Sequence, residues 1–492
     1  MGEKRLGIMG KIFGIAGLVL VCALARISIF QSGKYSKSVA AQRRDSVAVK
    51  RVRGKFYDKN MIPLVDDSDV VVNVESNGKE SEFVVNIPSR YGKNSLAEHL
   101  IGYTDSQGSG ISGLEKSLDS VVNTDKFYRV NYITDVNGNA VKNAGISMTE
   151  SSSDADSVVL TIDRRIQKAV EKNMDECISA GAVVVMDVNS FDILAMASRP
   201  NFDRNNVKKY IDGSGSEMVN RCTSPYNAGS IFKIITSCAA IEDAKAYGMY
   251  RCDGVMNIGG RNFACHKEGG HGMLDFENAF AQSCNCAYYQ IGMNVGAQRI
   301  IETAQKFGLG NSVIENGYVS ESCGNLPCAA NSTLLDSVNY SIGQGEILIT
   351  PVQAARMACI IANNGIAKSV NIADRIVDSD LNTKRYLRSF VQKTVISRDT
   401  AAVMQNCMKR AVESGTGSGA YSEKVSIAGK TGTAQTGWVE NGENYVHGWF
   451  CGYFPADNPQ YAMAVLAENG KSSSASAVPL FLSIAEDISE IY

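Results

Sequence analysis

Residues 229–241 read Gly-Ser-Ile-Phe-Lys-Ile-Ile-Thr-Ser-Cys-Ala-Ala-Ile. Ile231, Ile234, Ile235, Cys238 and Ile241 recur at helical spacing, which predicts a helix with one buried face beginning near Ser230. Positions i and i+3 share one side of a helix, so Lys233 falls beside the Ser230 hydroxyl. A serine is a poor nucleophile until a neighbour takes its proton. An ammonium cannot do this, but a lysine stripped of solvent, or set near another cation, has a lowered pKa and can. The helix N-terminus also favours negative charge developing there. The Ser-x-x-Lys pattern alone is weak. Ser76-Asn77-Gly78-Lys79 matches it too, and there Asn-Gly between VVVNV and FVVNI marks a hairpin turn, giving a β-hairpin over Asp69 to Ile87.

Around this helix the pattern predicts a mixed fold. Asp163 can cap a helix in which Ile166, Val170, Met174 and Ile178 recur. Two apolar runs between Gly181 and Met196 read as a hairpin. Helical patterns dominate from about 206 to 415, followed by strands over Ser426–Gln435, Tyr445–Tyr453 and Tyr461–Ala467 and a helix over Val478–Ile491. Strands at both ends enclosing a helical middle imply an α+β fold in which the terminal segments share one antiparallel sheet flanked by helices. The polar stretch Thr149 to Ser157 is expected to be a linker. The expected segmentation is an anchor over 1–31, a smaller β-containing pedestal or dimerisation-like domain with linker over 32–157, and the catalytic domain over 158–492.

Lys4, Arg5 and Lys11 precede an apolar run from Ile12 to Ala25, which resumes from Ile27 to Phe30 after Arg26. It can just span a bilayer if Arg26 snorkels to the outer interface. The alternative is a cleaved signal peptide ending at Ala23-Leu24-Ala25. Either reading puts the bulk of the chain outside the cytoplasm. The basic residues Lys34, Lys37, Arg43, Arg44 and Lys50 blur the charge bias, but large C-terminal domains translocate regardless of it. A formal net charge of −2 gives no electrostatic case for nucleic-acid binding. Thirteen cysteines include no pair of Cys-x-x-Cys motifs with zinc-ribbon spacing, so no structural zinc site is expected. In an exported chain Cys252 with Cys265, and Cys323 with Cys328, are disulfide candidates, with free thiols as the alternative.

Two further motifs follow the first. In Ser283-Cys284-Asn285, a second hydroxyl can relay a proton and an amide can bind a peptide backbone. Lys430-Thr431-Gly432-Thr433 opens a strand, where Gly432 admits a ligand close to the backbone and Lys430 and the two threonines suit a carboxylate. Each is weak alone, and Ser337-Val338-Asn339 and Ser369-Val370-Asn371 repeat the second. The ordered set is far more specific: Ser-x-x-Lys at a helix start, Ser-x-Asn, then Lys-Thr-Gly on a strand is the signature of serine penicillin-binding proteins and class A β-lactamases. The four histidines, His99, His266, His271 and His447, are assigned no catalytic role. His271 reads as a loop residue, His447 as opening a strand beside the cleft, and Trp449 as core.

From about residue 50 onward the sequence resembles the monofunctional class B penicillin-binding proteins. Arg53-Gly54 with Tyr57-Asp58-Lys59-Asn60, His99-Leu100-Ile101-Gly102, Gly113-Leu114-Glu115, Leu160-Thr161-Ile162-Asp163 with Gln167, and Gly343-Gln344-Gly345 with Thr350-Pro351 and Gln353 are similar to successive landmarks of that family. Four departures stand out: Ala228-Gly229 where Pro-Gly is common, Asp58-Lys59-Asn60-Met61 where the family has Asp-Arg-Asn-Gly, a short pedestal, and the expectation of no appended repeat domain after the final helix. The resemblance implies a D,D-transpeptidase that cross-links peptidoglycan through a Ser230 acyl-enzyme and is acylated by β-lactams. It implies Lys233 as general base, Ser283 as proton relay with Lys430, Asn285 on the donor amide, and Thr431, Gly432 and Thr433 on the terminal carboxylate side. It implies the backbone N–H groups of Ser230 and Thr433 as oxyanion hole, and neither metal nor organic cofactor. Expected partners are peptidoglycan stem peptides, β-lactams and a membrane-embedded glycan polymerase of the shape, division or sporulation type. The competing readings are a D,D-carboxypeptidase or β-lactamase, and a β-lactam receptor or scaffold for the polymerase.

Overall fold

The computed structural model describes residues 2–35, 44–66, 68–76, 79–92, 95–134, 147–150, 155–211, 213, 215–246, 248–440, 443–470 and 472–491. The chain forms two compact units. The smaller comprises Met1–Val52, Asp69–Ile87 and Asp125–Ser153. Its first helix, Gly2–Ala25, runs on as a wider π-turn over Arg26–Phe30. Among the described residues, Lys4–Phe30 is the one helical segment long and apolar enough to cross a membrane. Arg44–Arg53, Asn123–Ile133 and Ser147–Glu150 make a three-stranded sheet with the second in the middle, and Ser68–Ser76 pairs with Lys79–Ser89. These last two are the strands of the expected hairpin, whose Asn77-Gly78 turn lies outside the described residues, as do residues 151–154 of the expected linker.

The larger unit comprises Arg53–Ser68, Pro88–Thr124 and Asp154–Tyr492. At its centre are α1 (Arg164–Cys177), β1 (Gly181–Asp187), β2 (Ile193–Arg199), α2 (Lys233–Glu242), α3 (Asn285–Val295), α4 (Pro351–Ala362), β3 (Ala428–Glu440), β4 (Glu443–Phe454), β5 (Tyr461–Gly470) and α5 (Ala477–Ile491). The strands form one sheet in the order β3-β4-β5-β1-β2, antiparallel at every pairing. The terminal segments therefore do share a sheet, and the α+β reading holds. Asp163 caps α1 by accepting from the Arg165 N–H at 3.0 Å.

The sheet is covered on both faces, which explains the unbroken apolar run of β1. Alternate residues Val183, Val185, Phe450, Met463 and Val465 pack with Ile166, Val170 and Met174 of α1 and with Phe481, Ile484 and Ile488 of α5. Their neighbours Val184, Met186, Cys451, Ala464 and Leu466 join the main core with α2, α3 and α4. Helix α4 is buried along nearly its whole length, opened by Pro351 and by a reciprocal Thr350–Gln353 capping box.

The structure departs from the sequence expectation in two respects. First, the compact units do not follow a boundary at 157. Phe56, Leu64, Val65, Leu100, Ile101 and Leu114 belong to the same core as the segments after residue 157, and Phe56–Tyr57 pairs in parallel with Ser157–Leu160. Second, the stretch read as helical between 206 and 415 also holds short strand pairs: Tyr250–Cys252 with Gly272–Leu274, Val255–Ile258 with Arg261–Ala264, and Ile366–Lys368 with Gln392–Thr394. These strands are three or four residues long and largely exposed, so they leave no alternation to read.

Candidate active site

Ser230 lies in a 3₁₀ turn, Gly229–Phe232, that leads directly into α2. Two glycines bring this turn against the edge strand β3. A Cβ on Gly432 would lie 2.9 Å from Ile231 Cγ2 and 3.1 Å from the Ile231 nitrogen. Gly229, at φ +53°, would place a Cβ 2.9 Å from the Thr433 carbonyl oxygen. The turn is held from its other side by Gly343, whose carbonyl accepts from the Gly229 N–H at 3.1 Å.

Lys233 is fully buried one helical turn on from Ser230. Its Nζ donates to the Ser283 carbonyl and to Asn285 Oδ1, both at 2.7 Å, and lies 3.2 Å from Ser283 Oγ. The two short bonds use both N–H groups of a neutral amine and leave its lone pair for a hydroxyl. Burial lowers Lys233 to a pKa of about 7. Ser283 holds a left-handed backbone conformation, φ +51°, rare for a residue with a side chain, at the corner before α3. Lys430 is also fully buried, with Nζ 3.1 Å from the Thr431 carbonyl. Burial, and after it the charge of Lys233, holds Lys430 well below the usual lysine range.

These pieces meet at a cleft of about 770 Å³. Ser230, Ser283, Asn285, Thr431 and Thr433 line it. Lys233 and Lys430 are buried, and Gly432 is packed against Ile231. All eight residues singled out in the sequence thus belong to one locality. Because β3 is the edge of its sheet, one row of its backbone groups is not used by β4.

Several lining residues carry no sequence motif. Thr416 Oγ1 is 2.7 Å from Thr431 Oγ1, and Ser473 Oγ is 3.4 Å from Thr433 Oγ1. Gln344 also lines the cleft and is signalled by its Gly-Gln-Gly setting. His447 packs edge-on against Tyr226, 5.3 Å between ring centroids, and does not line the cleft. Trp449 is fully buried, as expected of a core residue, and donates to the Asn227 carbonyl at 3.0 Å.

A family model described as the penicillin binding protein transpeptidase domain matches residues 181–486. The chain belongs to that family. It is 31% identical over 441 residues to penicillin-binding protein PbpB of Mycolicibacterium smegmatis, covering 80% of this chain and 64% of that one. It is 28% identical over 395 residues to Stage V sporulation protein D of Bacillus subtilis, covering 78% and 60%. The chain thus spans less than two thirds of the length of these relatives. A crystal structure of penicillin binding protein 3 from Mycobacterium tuberculosis, complexed with ampicillin, superposes with a TM-score of 0.71 at 25% identity, covering 91% of this chain and 96% of that one.

The family's early landmarks have a structural role in this chain. Arg53 and Arg90 clamp Glu115, at 2.8 and 2.7 Å, and the Tyr91 hydroxyl donates to the same carboxylate at 2.9 Å. Asp58 accepts from the backbone N–H groups of Asn60, Ile62 and Arg164. A Cβ on Gly54 would overlap the Asp156 carbonyl. These contacts fasten the first segments of the larger unit to the start of α1.

Proposed function

We propose that this protein is a serine D,D-transpeptidase that cross-links peptidoglycan. The observation that carries the reading is the buried Lys233 amine, anchored by Asn285 and Ser283, under a cleft that Ser230, Thr431 and Thr433 line. Ser230 Oγ attacks the carbonyl of the penultimate D-Ala of a donor stem peptide. The new Oγ–C bond forms and the C–N bond to the terminal D-Ala breaks. The proton passes from Ser230 to Lys233 and reaches the leaving amine through Ser283, with Lys430 close by. Asn285 binds the donor's amide, Thr431 and Thr433 hold the terminal carboxylate, and Gly432 keeps β3 close to the ester. The N–H groups of Ser230 and Thr433 form the oxyanion hole, a contribution typically of about 3–4 kcal/mol per donor. An amine of a neighbouring stem peptide then attacks the ester, forms the cross-link and frees Ser230. A β-lactam enters as the donor and stays as the acyl group.

Lys233 acts in its neutral form, so the sign of the pH dependence is set. Acylation should rise as pH climbs through about 7, where the buried amine loses its proton, and level off above it. Second-order rates of β-lactam acylation across neutral pH check this. A rate that falls over that interval contradicts Lys233 as base.

Residues 1–31 serve as a single-pass plasma-membrane anchor, with the catalytic unit on the outer side. The 32–157 region forms a pedestal, two of whose segments are built into the catalytic unit. A solved structure of this fold, described as "Structural coordination of polymerization and crosslinking by a peptidoglycan synthase complex", superposes with a TM-score of 0.73 at 23% identity. In keeping with it, a membrane-embedded glycan polymerase is the partner we assign.

The test supplies the full-length protein in detergent with lipid-linked glycan strands bearing D-Ala-D-Ala stem peptides. Cross-linked dimers together with free D-Ala, both lost in Ser230→Ala, are expected. Trimmed monomers alone would establish a carboxypeptidase, and no reaction by a folded sample would leave a scaffold.

A further inference from the structure

The wall of the cleft contains a second cluster of reactive side chains. Cys252, Cys265, His271 and Cys284 come from four separated positions, yet their sulfurs and one ring nitrogen all lie within 4.8 Å of one another. His271 Nδ1 is 3.5 Å from both Cys252 Sγ and Cys265 Sγ, and Cys265 Sγ is 4.0 Å from Cys284 Sγ. A tetrahedral zinc with bonds of about 2.3 Å to sulfur and about 2.0 Å to nitrogen has edges of about 3.8 Å between sulfurs and about 3.5 Å from sulfur to nitrogen. These three separations lie close to those edges, and 4.0 Å between the Cys265 and Cys284 sulfurs is far too long for a disulfide. All thirteen cysteines are free, so neither expected disulfide pair is bonded in the structure.

Three of the ligands, Cys252, Cys265 and His271, sit on or beside the short pairs Tyr250–Cys252 with Gly272–Leu274 and Val255–Ile258 with Arg261–Ala264, and Cys284 comes from the corner before α3. Tyr250, Cys252 and Ile258 of these pairs reach the main core, while Val255 and Met273 remain more than half exposed. Gly270, at φ +79°, lets the chain cross so near Cys252 that a Cβ there would lie 2.1 Å from the Cys252 carbonyl oxygen. That crossing carries His271 to the thiols.

We propose that Cys252, Cys265, His271 and Cys284 bind one zinc-class divalent metal ion that fixes the Ser283–Asn285 corner of the cleft. Cys284 lies between the two residues that Lys233 contacts. Ala264 and His266, on either side of Cys265, line the cleft themselves. The ion is a positioning element and takes no part in the reaction. Spacing rules built on paired Cys-x-x-Cys motifs predict no zinc site here, because these ligands are scattered along the sequence and are gathered only by the fold.

The full-length protein, purified in detergent from zinc-replete culture, should carry about one zinc per chain by elemental analysis. Cobalt exchanged into it should show the charge-transfer bands of a tetrahedral thiolate site. Cys252→Ser/His271→Ala should lose both, while Cys323→Ser/Cys328→Ser, which alters exposed thiols elsewhere, should keep both. Stripping the metal should slow β-lactam acylation about 10–100-fold, reversibly on adding zinc. This coupling rests on the acyl-transfer reading, whereas metal content and the cobalt spectrum do not. A metal-free wild type, a Cys252–Cys265 disulfide by mass, or metal retained in Cys252→Ser/His271→Ala would overturn the site. Unchanged acylation by the stripped protein would overturn its link to the cleft.

Discussion

Lys233→Met should slow acylation of Ser230 by about 10²–10⁴-fold, the range expected when a general base is removed. Methionine has nearly the length and volume of lysine, so the buried space stays filled. What is lost is the amine that donates to Asn285 Oδ1 and to the Ser283 carbonyl at 2.7 Å each. Leaving such acceptors unpaired typically costs about 1–3 kcal/mol, which a large unit can absorb. Lys233→Arg separates base from charge. A guanidinium keeps the positive charge and the donors but does not give up its proton in a protein. The arginine variant should therefore be as slow as the methionine one. Second-order rates with a chromogenic or fluorescent β-lactam measure both. An arginine variant within tenfold of wild type would mean that Lys233 supplies charge, with the proton going elsewhere.

Glu115→Ala should destabilise the larger unit by about 3–5 kcal/mol, the usual penalty for removing one partner of a buried ion pair. Glu115 is fully buried, and Arg53 and Arg90 are themselves at most 6% exposed at their side chains. Arg90 also pairs with Asp66 at 2.6 Å, and Arg53 with Asp119 at 2.7 Å. Alanine would strand two guanidinium groups without the carboxylate that joins them. Glu115→Gln keeps the shape and part of the hydrogen bonding, so its loss should be smaller. Thermal unfolding of the two variants beside wild type gives the order. A loss under about 1 kcal/mol for the alanine variant would mean that water compensates the arginines, and that the network is less buried than the structure has it.

The parts of this molecule legible in the sequence are those written locally. The Asp163 cap, the apolar periods of α1 and α2 and the strands of the central sheet each depend on neighbours a few residues away. The ordered Ser230–Lys233, Ser283–Asn285 and Lys430–Thr433 motifs are legible because each places its groups on one turn or strand. The remainder depends on long-range contacts. Thr416 reaches Thr431 from the loop before β3, and Ser473 reaches Thr433 from the loop after β5, with no spacing to announce either. The return of Arg53–Ser68 and Pro88–Thr124 to the larger unit is driven by burial of Phe56, Leu64 and Leu100, which any domain could have claimed. Cys252 and Cys265 read as a possible disulfide, but His271 joins them only through the glycine crossing at Gly270, and Cys284 only from the corner before α3.

The central claim is tested most directly by incubating the full-length protein with benzylpenicillin, then measuring intact mass and mapping the modified peptide. One persistent adduct on Ser230, absent from Ser230→Ala, is the predicted result. An adduct on another residue, or none in a folded sample, would contradict the assignment of Ser230 as nucleophile.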